Sequence, residues 1–221
     1  MPYSSISETE FNNRYQLLAA YIQVNEANLN ANDFLQIRQG GLDNFLPDGH
    51  ALKGKNIFVL NRTNRKSFLH LAATEENLSL INFLKETGHE INRQDAQHKT
   101  ALYDACDNLK LAAVNQLLGY DADPNLGNGH LKVKEGNQEY TGETVPLVAT
   151  IESKATVTAA ELSSATGQDF SQLTTEQATE QARARLTKSL IAKGAQTDLQ
   201  TGQDNFSAFH RALCLRKSLV V

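Results

Sequence analysis

The chain has 221 residues, 40% of them hydrophobic and 21% charged, with 21 basic against 25 acidic side chains for a formal net charge of −4. That length holds one large domain or two small ones, and the charge balance excludes a chain-wide bias toward nucleic acid or membrane. The two cysteines, Cys106 and Cys214, exclude a disulfide framework and a cysteine-type zinc site, and a reducing compartment fits them best.

The opening MPYSSISETEF lacks the basic end and apolar run of a secretory signal, and no window reaches the roughly 18 apolar residues of a membrane span. Ser7 and Glu10 then stand at capping-box spacing, with Phe11, Tyr15, Leu18 and Ile22 on one helical face. A second helix is predicted from Asp33 to about Arg38, where Gly40 and Gly41 end or kink it. The stretch GHALKGKN, Gly49–Asn56, is one residue short of a phosphate-binding loop. Its context rejects that reading, because Asn56 lacks the hydroxyl needed at magnesium and the extended run NIFVL follows instead of a helix.

From Ser67 the chain reads SFLHLA, and from Thr100 it reads TALYDA. Sliding the sequence by 33 positions brings Leu69 onto Leu102, His70 onto Tyr103, Ala72 onto Ala105, Ile81 onto Val114, Leu84 onto Leu117 and Asn92 onto Asn125. Each unit reads as a capped short helix, a polar break, a second amphipathic helix and a polar turn. A single such unit cannot bury its apolar face alone, so neighbours must stack.

SFLHLA and FLKETGHEIN resemble the helix start and helix end of the ankyrin-repeat family, and TALYDA with QLLGYDADPN keeps the frame. Tyr103 takes the place of the family His, and Asp121 stands where Gly88 stands one unit earlier. A third unit is split between ETVPLVATI and SLIAKGAQTDLQ, and NFSAFHRAL opens a fourth. The resemblance implies an all-α solenoid of about four helix-pair units with β-hairpin fingers, one extended. Its repeats would run over about 66–98, 99–131, 143–204 with an insertion, and 205–221. Residues 1–65 are expected to form an N-terminal helical cap. The fourth unit is incomplete, which leads to the expectation that this is the front part of a longer protein.

Two excursions break the frame. Residues 127–143, GNGHLKVKEGNQEYTGE, alternate around a Gly136-Asn137 break as a hairpin does, and are expected to lengthen a finger into a projecting arm. The second, from about Ser153 to Thr175, is rich in Ser, Thr, Ala and Gln and is expected to offer little core and to be partly mobile. A helix capped by Thr175 follows, with Ala178, Ala182, Leu186 and Leu190 on one face.

No catalytic residue, metal site, cofactor or small-molecule substrate is expected. Cys106 is read as an inert thiol, and His70 and His210 as structural residues of the helix starts. The resemblance implies a protein-binding scaffold that uses finger tips and first-helix faces. The candidate contacts are Arg93, Gln94, Asp95, Gln97 and His98 on one finger, His130, Lys132, Lys134 and Tyr140 on the arm, and Tyr103, Asp104 and Asp107 on the adjoining helix. Asn92 and Asn125 fit the pattern by which an asparaginyl hydroxylase of animal cells recognises such repeats, Asn125 more weakly because Pro124 stands at the apolar position. In composition and insertions the whole chain is similar to ankyrin effectors that intracellular bacteria such as Legionella secrete. That similarity implies a host-cell protein as partner, in cytosol or nucleus. The alternatives are a targeting module of a larger enzyme, such as a cysteine hydrolase, and a nucleic-acid-associated binder whose affinity falls steeply with salt.

Overall fold

The structure, a computed structural model, describes residues 3–135 and 138–198 and positions 207, 208 and 212, with the backbone alone over 128–144. It opens on strand β1 (Ser4–Ile6) and helix α1 (Glu8–Asn25). The predicted apolar face of α1, Phe11, Tyr15, Leu18 and Ile22, is wholly buried. Ser7 Oγ accepts the Glu10 N–H at 3.3 Å as expected. The Glu10 carboxylate, expected to reach back to Ser7, is bound to Arg14 Nε at 2.6 Å. Helix α2 (Ala31–Gly40) starts earlier than predicted because Asn30 and Asp33 cap it reciprocally. The extended run ends in β2 (Val59–Asn61), which pairs with β1 in parallel, Ser4 opposite Val59.

Three helix pairs follow: α3 (Phe68–Glu75) with α4 (Leu78–Glu86), α5 (Ala101–Asp107) with α6 (Leu111–Gly119), and α7 (Pro146–Glu152) with a later partner, α9 (Thr175–Ala192). First helices pack on first helices, in the order α3, α5, α7, and second helices on second, in the order α4, α6, α9. Helices α1 and α2 lie against α4, so the N-terminal region covers the open face of the first unit. Leu84 and Leu117, equivalent at the 33-residue offset, are fully buried in one continuous apolar core. Truncating either to Ala removes transfer energy and leaves a cavity, at a cost of roughly 2–5 kcal/mol.

The turn after each second helix needs a left-handed residue. Gly88 (φ 94°) and Gly194 (φ 87°) supply it in the first and third units, and Asp121 (φ 61°) is forced into it in the second. Side chains rarely tolerate this conformation, Asp better than most. Exposed Asp121 is therefore the site for a simple gain: Asp121→Gly is expected to raise stability by about 0.5–1 kcal/mol, seen as a higher urea midpoint at unchanged slope.

The second insertion contributes more core than its composition suggests. Thr158 and Glu161 form a reciprocal cap on helix α8 (Ala159–Thr166), and Leu162 is fully buried. Helix α8 packs against both α6 and α9, and Thr179 on α9 holds the Val157 N–H at 2.9 Å. Leu162 and Val157 are buried, and Ala159, Ala165, Phe170 and Leu173 pack against the same core, so a segment whose composition looks disordered docks through scattered apolar residues. Thr174 supplies the N-cap of α9 one residue before the predicted position, and Ala178, Ala182, Leu186 and Leu190 are buried as the spacing requires.

Candidate functional site

The connections that precede α3, α5 and α7 lie along one edge of the stack. In the second connection the Asp95 N–H donates to Lys99 O at 2.9 Å, and Asp95 Oδ1 takes the N–H groups of Gln97 and Lys99 at 2.7 and 3.0 Å. This folds the carboxylate into its own turn, the usual local chemistry of Asp beside backbone donors. The tip residue His98 is left-handed (φ 57°), and so is Arg65 (φ 58°), its equivalent in the connection before.

Hydrogen bonds join each connection to the next. The Ala96 N–H donates to Asn64 O at 2.7 Å between neighbouring tips. Gln94 Nε2 reaches both His98 O and Gly127 O at 3.0 Å. Asn92 Oδ1 accepts the Asp123 N–H at 2.9 Å, and Asn125 Oδ1 accepts the Gln196 N–H at 2.8 Å while its Nδ2 donates to Gly194 O at 3.0 Å. Asp123 and Gln196 hold the same place in their units, so the third unit keeps the ladder's register in spite of both excursions.

At the first helix starts, the Ser67 N–H donates to His70 Nδ1 at 3.2 Å, which leaves the proton on Nε2 to meet Lys99 O at 3.0 Å. Burial, partly offset by the Asp104 carboxylate, holds the His70 ring below the usual histidine range and therefore neutral. His70 thus ties its own helix cap to the finger of the next unit, as expected for a structural histidine.

The third connection contains strands β3 (Asn128–Glu135) and β4 (Gln138–Thr144), paired antiparallel with Val133 opposite Tyr140 and Lys134 opposite Glu139. The register shifts between Asn128 and Leu131. The side chains of His130, Lys132, Lys134 and Tyr140, all candidate contacts, lie outside the described residues.

Of the other candidates, Gln97, His98 and Asp107 are exposed. Arg93 is engaged: its guanidinium lies 4.1 Å over the Tyr3 ring and 3.0 Å from Glu90 Oε2. Three expectations need correction. Asp95, Tyr103 and Asp104 are only 5%, 7% and 4% exposed and present almost no surface to a partner. Asp95 is spent on its turn, Asp104 is paired with Lys66 Nζ at 2.7 Å, and the Tyr103 ring lies under Lys99 Nζ at 4.9 Å. Neighbouring units cover the first-helix face more fully than a polar sequence suggests. The opposite omission concerns Arg62 and Arg65, both exposed on the first tip. The 33-residue offset aligns them with Asp95 and His98, and so could have located them.

Cys106 is fully buried on α5, and burial pushes its thiol up to about 12, so at neutral pH it is a small apolar side chain. Cys214 lies outside the described residues, as does His210. Among the described residues, no group of three or more His, Cys, Asp and Glu could hold a metal ion, and no helix is long and apolar enough to cross a membrane.

Residues 41–128 match the family model for ankyrin repeats, three copies. No curated protein matches the chain. Among solved structures it is similar to the crystal structure of an ankyrin repeat domain from Acinetobacter baumannii AYE, at 14% identity and a TM-score of 0.52, over 76% of this chain. The likeness spans 66% of that structure's own length. The segment 41–128 therefore carries ankyrin repeats, and the chain has a mostly helical ankyrin-repeat fold.

Proposed function

We propose that this protein is a recognition scaffold that binds another protein along its finger edge, with the 127–143 arm as the most prominent contact. Ankyrin repeats in general mediate protein–protein interaction. The observation that carries the reading here is the unbroken ladder from Asn64 through Gln94 and Asn92 to Asn125. It fixes successive connections relative to one another, so a partner meets a pre-ordered edge and loses less ordering entropy on binding. An interface of roughly 800 Å² per partner is within reach of three stacked units.

In the same proposal the partner is a host-cell protein met in the cytosol or nucleus. What supports this part is the similarity of composition and insertions to secreted bacterial ankyrin effectors. No catalysis is assigned to this chain.

The test is a pull-down from host lysate with intact protein, with protein lacking 129–141, and with Tyr140→Ala. Loss of the arm is expected to abolish capture with the unfolding midpoint unchanged. The Tyr140 truncation should weaken binding about thirtyfold, the effect of removing an aromatic anchor worth about 2 kcal/mol. Equal capture by all three proteins would remove the arm from the proposal.

A further inference from the structure

The two tips beside the arm differ from the rest of this acidic protein. The first, Arg62 to Lys66, carries three cations and no acid, and the second carries His98 and Lys99. The cations facing the inner groove are occupied: Lys66 is bound to Asp104 at 2.7 Å, and Lys99 lies over Tyr103. The outer cations are not. Arg62 and Arg65 are exposed, and among the described residues neither makes an ion pair, although Glu8 stands two positions beyond Ile6, whose carbonyl accepts the Arg62 N–H at 2.8 Å. The backbone bond from Ala96 to Asn64 holds the second tip, with exposed Gln97 and His98, directly against the first.

We propose that these two tips are a docking edge for an acidic protein segment, with Arg62 and Arg65 as its carboxylate contacts; the inference rests on the recognition reading and names its partner chemistry. Arginine is suited to this because its planar fork grips a carboxylate through two parallel hydrogen bonds. The net charge of −4 repels an anionic partner from most of the surface, which leaves the cationic tips as the favoured approach and raises both orientation and rate of encounter. Stacked helices lie 8–10 Å apart, so the equivalent residues Arg65 and His98 of the two tips are about 10 Å apart, and an extended strand advancing about 3.3 Å per residue would bring acidic residues at every third position to both tips. Protein is favoured over nucleic acid because two unpaired arginines neutralise few phosphates.

The probe is a fluorescein-labelled 12-residue peptide with Glu at every third position and Ser or Gly between, titrated with the full chain at low salt. Anisotropy should rise with wild-type protein. Arg62→Glu/Arg65→Glu should weaken binding at least tenfold, while Lys110→Glu/Lys154→Glu, at the far ends of the first helices, should change it less than twofold. Absence of binding by wild type, equal loss in both double variants, or tighter binding of a 12-nucleotide thymidine strand than of the peptide would overturn the proposal. The host-lysate capture separates this failure from that of the recognition reading. Capture that survives Arg62→Glu/Arg65→Glu sinks the acidic docking edge alone, whereas no capture by the intact protein sinks the recognition reading itself.

Discussion

Replacing Arg183 with Met is expected to cost about 3–5 kcal/mol, as removing one partner from a buried charged network does. Arg183 sits on α9 with 3% of its surface exposed. Its Nη1 donates to Thr150 O at 2.7 Å and Ile151 O at 3.2 Å, its Nη2 to Ser153 O at 2.6 Å, and its Nε lies 3.2 Å from Glu180 Oε1. Those carbonyls belong to the end of α7, where a helix leaves its last acceptors unsatisfied. In the first two units the first helix closes on itself through a left-handed residue, Glu76 (φ 58°) and Leu109 (φ 53°). In the third unit the chain departs into the insertion through Ser153 at φ −49°, so that closure is lost. The guanidinium takes over, and its charge also favours the negative end of the helix. Met fills similar volume but strands three buried acceptors and removes a cation from beside Glu180. Urea unfolding reads the loss directly, and Arg183→Lys should fall between wild type and Met because one ammonium cannot span the three carbonyls. A Met variant within 0.5 kcal/mol of wild type would mean that the cap carries no net stability.

Arg183 also shows where sequence reading stops. The face Ala178, Ala182, Leu186 and Leu190 is visible because it repeats every three or four residues, and the stack is visible because units repeat every 33. The Arg183 role depends on how a helix ends some 30 positions earlier, and no local period encodes that. The same reason hides the Lys66 to Asp104 pair, which joins residues of different units and turns a presumed surface acid into a buried one. Asp95 was more accessible: an Asp two residues before a backbone donor at a turn is a known local pattern, and its burial follows from that chemistry. Helix α8 was obscured for a different reason, since one buried Leu162 among Ser, Thr and Ala leaves no apolar stripe to read. The line of connections is therefore legible in outline from the 33-residue period. Which of its polar residues face outward is decided by pairing across units.

Acidification below pH 6.5 is expected to destabilise the protein through His89, by about 3 kcal/mol once pH 4 is reached. The 33-residue frame sets His89 at the place of Ala122, and Ala195 follows in the third unit, so an imidazole occupies a slot shaped for a methyl group. The N-terminal region makes room for it. The ring stacks on Phe58 at 4.2 Å, meets the edge of Tyr3 at 6.0 Å, and places Nδ1 3.1 Å from Leu84 O and Nε2 3.3 Å from Ile57 O. Burial drives its pKa down to about 4, with the two carbonyls opposing that shift only in part. Above the unfolded value of about 6.5 the ring is neutral in both states and contributes no pH dependence. Between 6.5 and 4 the unfolded chain takes up a proton that the fold refuses, so stability falls as pH falls, and below 4 the loss is complete. His70, also held low by burial, adds to the trend in the same direction. The measurement is urea unfolding at pH 7.5 and pH 5.5, a window above the range where ordinary carboxylates titrate. His89→Ala should remove about 1.4 kcal/mol of the difference between the two pH values, whatever the cavity costs at each. Identical pH dependence in wild type and variant would show that the folded ring takes up its proton as readily as the unfolded chain does, and would overturn the prediction.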